Sequence, residues 1–319
     1  MKRFFSADDV ANIDELVQNA IQIKKAPLQK SDLGKGKTLG LVFLNSSLRT
    51  RLSTQKAAQN LGLNTIILNA NLEAWTWEFE DGAIMNGSTV EHIKDAANVL
   101  SQYCDIIGIR CFAGLENKED DTSEKVYSLF EKFATVPVIS LESATLHPLQ
   151  SLADCITIEE HKPENKKPKI VLTWAPHIKS IPHAVGNSFA QWMSKIDCEF
   201  VITHPKGYEL DSKFTQDAII EYNQEIALQD ADFVYIKNWS SFEEYGKILP
   251  TEEDWLLTNE KLNATNNAKI MHCLPVRRNV EASDEVLDSE NSLIYHQANN
   301  RTFAAQIILE KILESDGQA

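Results

Sequence analysis

Short apolar runs alternate with stretches of helical periodicity along the whole chain, and this alternation limits the folds open to it. Thr38–Leu44, Asn64–Leu68, Ile106–Arg110 and Val136–Ser140 lie in the first half; Ile170–Trp174, Glu199–His204, Phe233–Ile236 and Lys269–Cys273 lie in the second. Such a pattern implies strands of parallel sheets with helices on both faces, so the expected fold is α/β. A chain of 319 residues exceeds the usual reach of one hydrophobic core. Two doubly wound domains are therefore expected, 1–147 and 148–297, with the boundary inside a helix that begins around His147. A last helix, 298–314, carries Phe303, Ile307, Ile308 and Ile312. The polar, proline-flanked stretch 162–168 reads as a surface loop.

Charge and cysteine usage exclude several function classes. The formal charge of -15 disfavours a nucleic acid or an anionic membrane as partner, and it does nothing to recruit an anionic small molecule. Any anion site must then be local, made from a few convergent arginines. No apolar run approaches the roughly 20 residues of a membrane span, and the start turns acidic at Asp8-Asp9, unlike a signal peptide. A soluble, cytoplasmic protein is expected. Cys104, Cys111, Cys155, Cys198 and Cys273 are odd in number, scattered, and without a Cys-x-x-Cys pair, which argues against a disulfide framework and against a zinc or other metal site.

One segment is chemically dense. In Leu44-Asn45-Ser46-Ser47-Leu48-Arg49-Thr50-Arg51-Leu52-Ser53, an apolar strand stops and a helix starts, with Ser46 or Ser47 as its cap, Leu48, Leu52, Ala57 and Leu61 on its apolar side, and Gly62 at its end. The open N–H groups of the first turn, the Ser47 and Thr50 hydroxyls and the Arg49 guanidinium can together hold a phosphate. Arg49 and Arg51 point to different sides of a helix, so only one reaches the ligand; Arg49 is the one expected. A capped surface helix with solvated arginines fits this decapeptide equally well. By contrast, Gly34-Lys35-Gly36-Lys37-Thr38 is a poor P-loop, since Ser31 takes the leading glycine position and the segment precedes a strand.

Two further segments break that tie. Ser47-Leu48-Arg49-Thr50-Arg51, then His147-Pro148-Leu149-Gln150, then His272-Cys273-Leu274-Pro275, in this order and spacing, resemble the aspartate and ornithine transcarbamoylases. The resemblance covers both halves of the chain and implies carbamoyl transfer from carbamoyl phosphate, a reaction that requires no cofactor. It also implies that the C-terminal segment, 298–319, packs back on the first domain. Ser47, Leu48, Arg49 and Thr50 would then hold the phosphate, while Thr50, Arg110 and His147 polarise the carbonyl oxygen. Gln150, one helical turn after His147, would take the carbamoyl amino group. Cys273 and the Leu274 carbonyl would hold the attacking δ-amine. Trp75 would enter a neighbouring subunit's site in a homotrimer, although Trp77 serves as well on composition alone.

The acceptor separates the relatives. Where ornithine enzymes have an aspartate for the α-ammonium, this chain has Lys237-Asn238-Trp239, and it has no Ser-Met-Gly loop. A lysine pairs with the acceptor's α-carboxylate if the α-nitrogen is a neutral amide, so an N-acylated ornithine is expected. Within the superfamily the chain is similar, almost end to end, to the N-acetylornithine and N-succinylornithine transcarbamoylases. Glu142, His177, Lys237 and Arg301 would contact the acceptor, and Arg277 would lie near both substrates. By the same resemblance, acetyl enzymes have a glutamate and succinyl enzymes a proline at the position of Val90. An acid there would repel a succinyl carboxylate, which valine does not. Lys179 can supply a counter-charge, but by the resemblance a succinyl enzyme has arginine there and lysine also occurs in acetyl enzymes, so this position favours neither. N-succinyl-L-ornithine is therefore the expected acceptor. N-acetyl-L-ornithine is the alternative, a non-catalytic paralogue that binds phosphate ligands for regulation is the second, and a plain ornithine enzyme would need an ammonium partner that is not found near Lys237.

Overall fold

The computed structural model describes residues 1–73, 75–164, 166–252 and 254–316. Asn165 of the expected surface loop and residues 317–319 of the expected C-terminal segment lie outside them. The strands are β1 (Arg3–Phe4), β2 (Thr38–Phe43), β3 (Asn64–Asn69), β4 (Trp77–Glu78), β5 (Glu91–His92), β6 (Ile106–Arg110), β7 (Val138–Glu142), β8 (Lys169–Trp174), β9 (Glu199–Thr203), β10 (Ile219–Glu221), β11 (Phe233–Lys237) and β12 (Lys269–Met271). The chain divides into two units, one of residues 1–114, 118–149 and 301–319, the other of 115–117 and 150–300.

In the first unit a parallel sheet runs β1-β7-β6-β2-β3. From β2 the chain goes to β3 on one side and later to β6 on the other, so strand order reverses between β2 and β6, at the carboxyl end where such folds bind ligands. Leu39, Leu41, Val42 and Phe43 of β2 are all buried, and a side chain at Gly40 would meet the Cys104 Sγ at 2.6 Å. Val42, Ile107, Ile109 and Val138 pack with Ile93, Ala97, Tyr127, Phe130 and Trp77. The second unit repeats the plan with the order β10-β9-β8-β11-β12, its reversal lying between β8 and β11. Val171, Val201, Val234, Ile236 and Ile270 pack there with Leu228, Val286 and Leu287.

Four expectations need correction. The strand expected at Val136–Ser140 runs from Val138 to Glu142, because Pro137 has no N–H to enter the ladder, and this shift sets Glu142 opposite Arg110. The strand expected to reach Cys273 ends at Met271: the His272 N–H turns to the Gln297 side chain, and Leu274 adopts a left-handed φ of 57°. The helix Arg49–Asn60 turns Thr50, Thr54, Ala57 and Ala58 inward, leaving Leu48 and Leu52 exposed at 68% and 56%. The last helix starts at Ile294 instead of 298. From Arg301 onward it belongs to the first unit, where Lys30 pairs with Glu310 at 2.7 Å and Asn60 bonds to Gln306 at 2.8 Å.

Candidate active site

At the carboxyl end of the first sheet, the turn after β2 opens the helix Arg49–Asn60. Its Thr50 N–H donates to the Ser47 hydroxyl at 3.2 Å, so Ser47 caps the first turn across Leu48. Arg110, the last residue of β6, lies beside a register shift that re-aims it, and is the cross-strand partner of Glu142. Its guanidinium pairs with the Glu142 carboxylate, donates to the Thr50 Oγ1 at 3.1 Å, and stacks on the Phe112 ring at 4.2 Å. Arg301 donates to the same Thr50 Oγ1 at 2.6 Å and stands 3.5 Å from His147 Nε2. The Thr50 oxygen thus accepts from two guanidiniums, which leaves its own O–H to donate outward.

Burial, with Arg301, Arg110 and Arg49 nearby, holds the His147 imidazole well below its ordinary range, so it is neutral. Three guanidiniums around one carboxylate leave an excess of positive charge in this corner of a strongly acidic chain. A multiply charged oxyanion fits that excess, and water is largely excluded from it, which strengthens every contact. His147 also has a testable consequence for stability. The unfolded chain takes up a proton at the ordinary histidine pKa of about 6.5, and the folded protein does not. The group's contribution is therefore intact above that range and is lost as pH falls through it. The His147 ring proton, followed by NMR, should stay unshifted from pH 7.5 to 5.5; an inflection near 6.5 would contradict the buried neutral state.

In the second unit, the segment after β8 carries His177 and Lys179, and β11 ends in Lys237. The Arg277 Nε donates to His177 Nε2 at 3.2 Å, and His177 Nδ1 lies within hydrogen-bond reach of the Lys179 carbonyl at 2.9 Å and of the Lys179 N–H at 3.0 Å. Burial moves the His177 pKa down, with Lys237 and Arg277 among the surrounding charges. The Lys237 ammonium is buried and donates to the Asn238 backbone and side-chain oxygens at 3.0 and 2.7 Å. Beyond β12, the Leu274 N–H donates to His272 Nδ1 at 2.8 Å, which leaves the proton on His272 Nε2, bonded to Glu281 at 2.8 Å. Burial pushes the Glu281 pKa up, but the His272 side chain, the Lys237 charge and the Arg277 N–H together outweigh it, and the carboxyl titrates below its ordinary range.

The first unit therefore gathers Ser47, Leu48, Arg49, Thr50, Arg110, Glu142, His147 and Arg301; the second holds Gln150, His177, Lys179, Lys237, Cys273, Leu274 and Arg277. Glu142 and Arg301, expected at the acceptor, are bonded to the residues expected at carbamoyl phosphate. Leu48 can act only through its backbone, its side chain being exposed. Trp75 and Val90 are exposed and, among the described residues, are not hydrogen-bonded to either group: Trp75 donates to Glu91 at 2.7 Å, and the Val90 N–H to the Thr76 carbonyl at 2.9 Å. Trp77 is a core residue against Phe130.

Two supports were not read from the sequence. Glu124, in a left-handed conformation, accepts from Ser143 at 2.7 Å, from the Ala144 N–H at 3.3 Å, and from both the N–H and the hydroxyl of Thr145, pinning the loop that leads to His147. Nothing in its local sequence marks it. Asp154 was legible in principle, as a carboxylate four residues after Gln150 in the apolar middle of their helix.

Residues 2–160 match the family model described as aspartate/ornithine carbamoyltransferase, carbamoyl-P binding domain, and residues 182–312 match its Asp/Orn binding domain. The N-succinylornithine carbamoyltransferase of Bacteroides fragilis is 49% identical over 99% of both chains. The N-acetylornithine carbamoyltransferase of Xanthomonas campestris is 33% identical over 98% of both. Among solved structures, a glutamate-to-valine variant of N-acetyl-L-ornithine transcarbamylase complexed with carbamyl phosphate and N-succinyl-L-norvaline is similar at a TM-score of 0.91. It is 32% identical, and the match covers 98% of this chain and 100% of that one.

Proposed function

Because the chain belongs to the aspartate/ornithine carbamoyltransferase family, we propose that it moves the carbamoyl group of carbamoyl phosphate to the δ-amine of N-succinyl-L-ornithine, giving N-succinyl-L-citrulline and phosphate. The observation that carries this reading is the buried, positively charged corner around Thr50, where Arg110, Arg301 and a neutral His147 converge. The amine lone pair attacks the carbonyl carbon, the carbon–oxygen bond to phosphate breaks with its electrons leaving on phosphate, and the amine gives up one proton, which the departing phosphate takes. Ser47, Leu48, Arg49 and Thr50 anchor the phosphate. Arg110, His147 and the Thr50 hydroxyl stabilise the negative charge that develops on the carbonyl oxygen. Gln150 and Leu274 receive the carbamoyl amino group; Cys273 and Leu274 place the δ-amine.

Glu142, His177, Lys237, Arg277 and Arg301 meet the acylated acceptor. A buried Lys237 supports an acceptor whose α-nitrogen is a neutral amide, since two cations would repel there. Val90 and the higher identity to the succinyl relative favour succinyl over acetyl. We assign the protein to arginine biosynthesis as a cytoplasmic homotrimer. Trp75, Ile84 and Val90, exposed at 56%, 85% and 64% on one excursion of the first unit, support burial there by a neighbouring copy, with Val90 and Lys179 near the acyl group. Phosphate and N-succinylcitrulline should appear in equal amounts, and phosphate release without the citrulline would refute transfer. Val90→Glu should shift acceptor preference from succinyl toward acetyl by about tenfold or more; unchanged preference would remove position 90 from the acyl pocket.

A further inference from the structure

Gln150, Asp154 and Gln297 are all fully buried, and they form a chain of hydrogen bonds inside the second unit. The His272 backbone N–H donates to Gln297 Oε1 at 2.9 Å, Gln297 Nε2 donates to Asp154 Oδ1 at 2.7 Å, and Gln150 Nε2 donates to that same oxygen at 2.8 Å. The two ends of an amide side chain have nearly the same shape, so only its partners decide which end points where. Here the decision starts from the backbone. An N–H can only donate, so Gln297 must turn its carbonyl to His272 and its amino group to Asp154. Asp154 Oδ1 is then an acceptor, and it draws the amino end of Gln150 toward itself as well. The carbonyl end of Gln150 is the end turned away.

We propose that Asp154 is a positioning residue that fixes the side-chain amide of Gln150 with its carbonyl oxygen presented to the carbamoyl amino group, so that the site selects a carbamoyl over an acetyl group. The proposal rests on the carbamoyl-transfer reading above. A carbamoyl group ends in an NH2 that donates; an acetyl group of almost the same size ends in a methyl that does not. With Gln150 reversed, two amino groups would face each other and the recognition would be lost. Because Gln297 also holds the His272 backbone, and His272 in turn receives the Leu274 N–H, the same chain sets Gln150 and the His272–Leu274 turn in register.

The test compares carbamoyl phosphate as substrate with acetyl phosphate as competitive inhibitor, using the full-length protein. Asp154→Asn keeps the shape but offers Gln150 either end of an amide. We expect the KM for carbamoyl phosphate to rise about tenfold, with the inhibition constant of acetyl phosphate changed less than twofold. A merely structural role would weaken both ligands together, and that result overturns the proposal. So does unchanged discrimination. In a Gln150→Met background, Asp154→Asn should have no further effect on the ratio; a further loss would show that Asp154 acts by another route. Should Asp154→Asn not fold, Gln150→Met alone must lose the discrimination between carbamoyl and acetyl phosphate, and its retention refutes the proposal. Absence of carbamoyl transfer by the unaltered protein would instead refute the underlying reading.

Discussion

Arg110→Met is expected to lower kcat by three orders of magnitude or more. Two losses combine. In the proposed reaction the guanidinium, beside Thr50, donates to the developing oxyanion, and removal of one such donor commonly costs about 10²- to 10³-fold. It also pairs with Glu142, whose side chain is only 9% exposed, and breaking a buried ion pair by removing one member costs roughly 3–5 kcal/mol of stability. The two effects separate in a double variant. Arg110→Met with Glu142→Met should recover most of the thermal stability and none of the turnover, read by thermal unfolding and steady-state kinetics. Recovery of turnover would mean that Arg110 serves only to balance Glu142.

Arg49→Ala ranks next, with an expected loss of about 10²- to 10³-fold in kcat/KM for carbamoyl phosphate and a parallel weakening of inhibition by inorganic phosphate. The side chain lies on the first turn of a helix whose N–H groups already favour an anion, so its removal takes a charge-assisted contact away without emptying the core. Arg51, exposed on the same helix, provides the control: Arg51→Ala should keep near-normal kinetics. Near-normal turnover of Arg49→Ala would remove the phosphate assignment from this turn.

Elements long enough to show a period were legible in the sequence, and those whose ends depend on tertiary contacts were less so. β2 and β6 are runs of buried apolar residues, and a parallel strand covered on both faces has no other way to read. β1, β4, β5 and β10 have only two or three residues, too few for a pattern. The helix after β2 misled because its inward face is built of Thr50, Thr54, Ala57 and Ala58 beside a polar site, while Leu48 and Leu52 face outward. Hydrophobic spacing marks a core and has nothing to report where a helix faces a ligand. The candidate site residues stand out as short segments at strand ends, where the topology of such folds places ligand-binding groups. Of their supports, Glu124 and Gln297 meet partners 21 and 143 residues away and leave no local trace, while Asp154 had only Gln150, four residues before it, to mark it.

The measurement that tests the central claim most directly is citrulline-type product formation from carbamoyl phosphate with N-succinylornithine, N-acetylornithine and free ornithine side by side at equal concentration. Fast turnover of the succinyl compound, with the other two far slower, is the predicted result. Faster turnover of N-acetylornithine would keep the transfer chemistry and contradict the acceptor assignment at Val90, and no product with any of the three would contradict carbamoyl transfer itself.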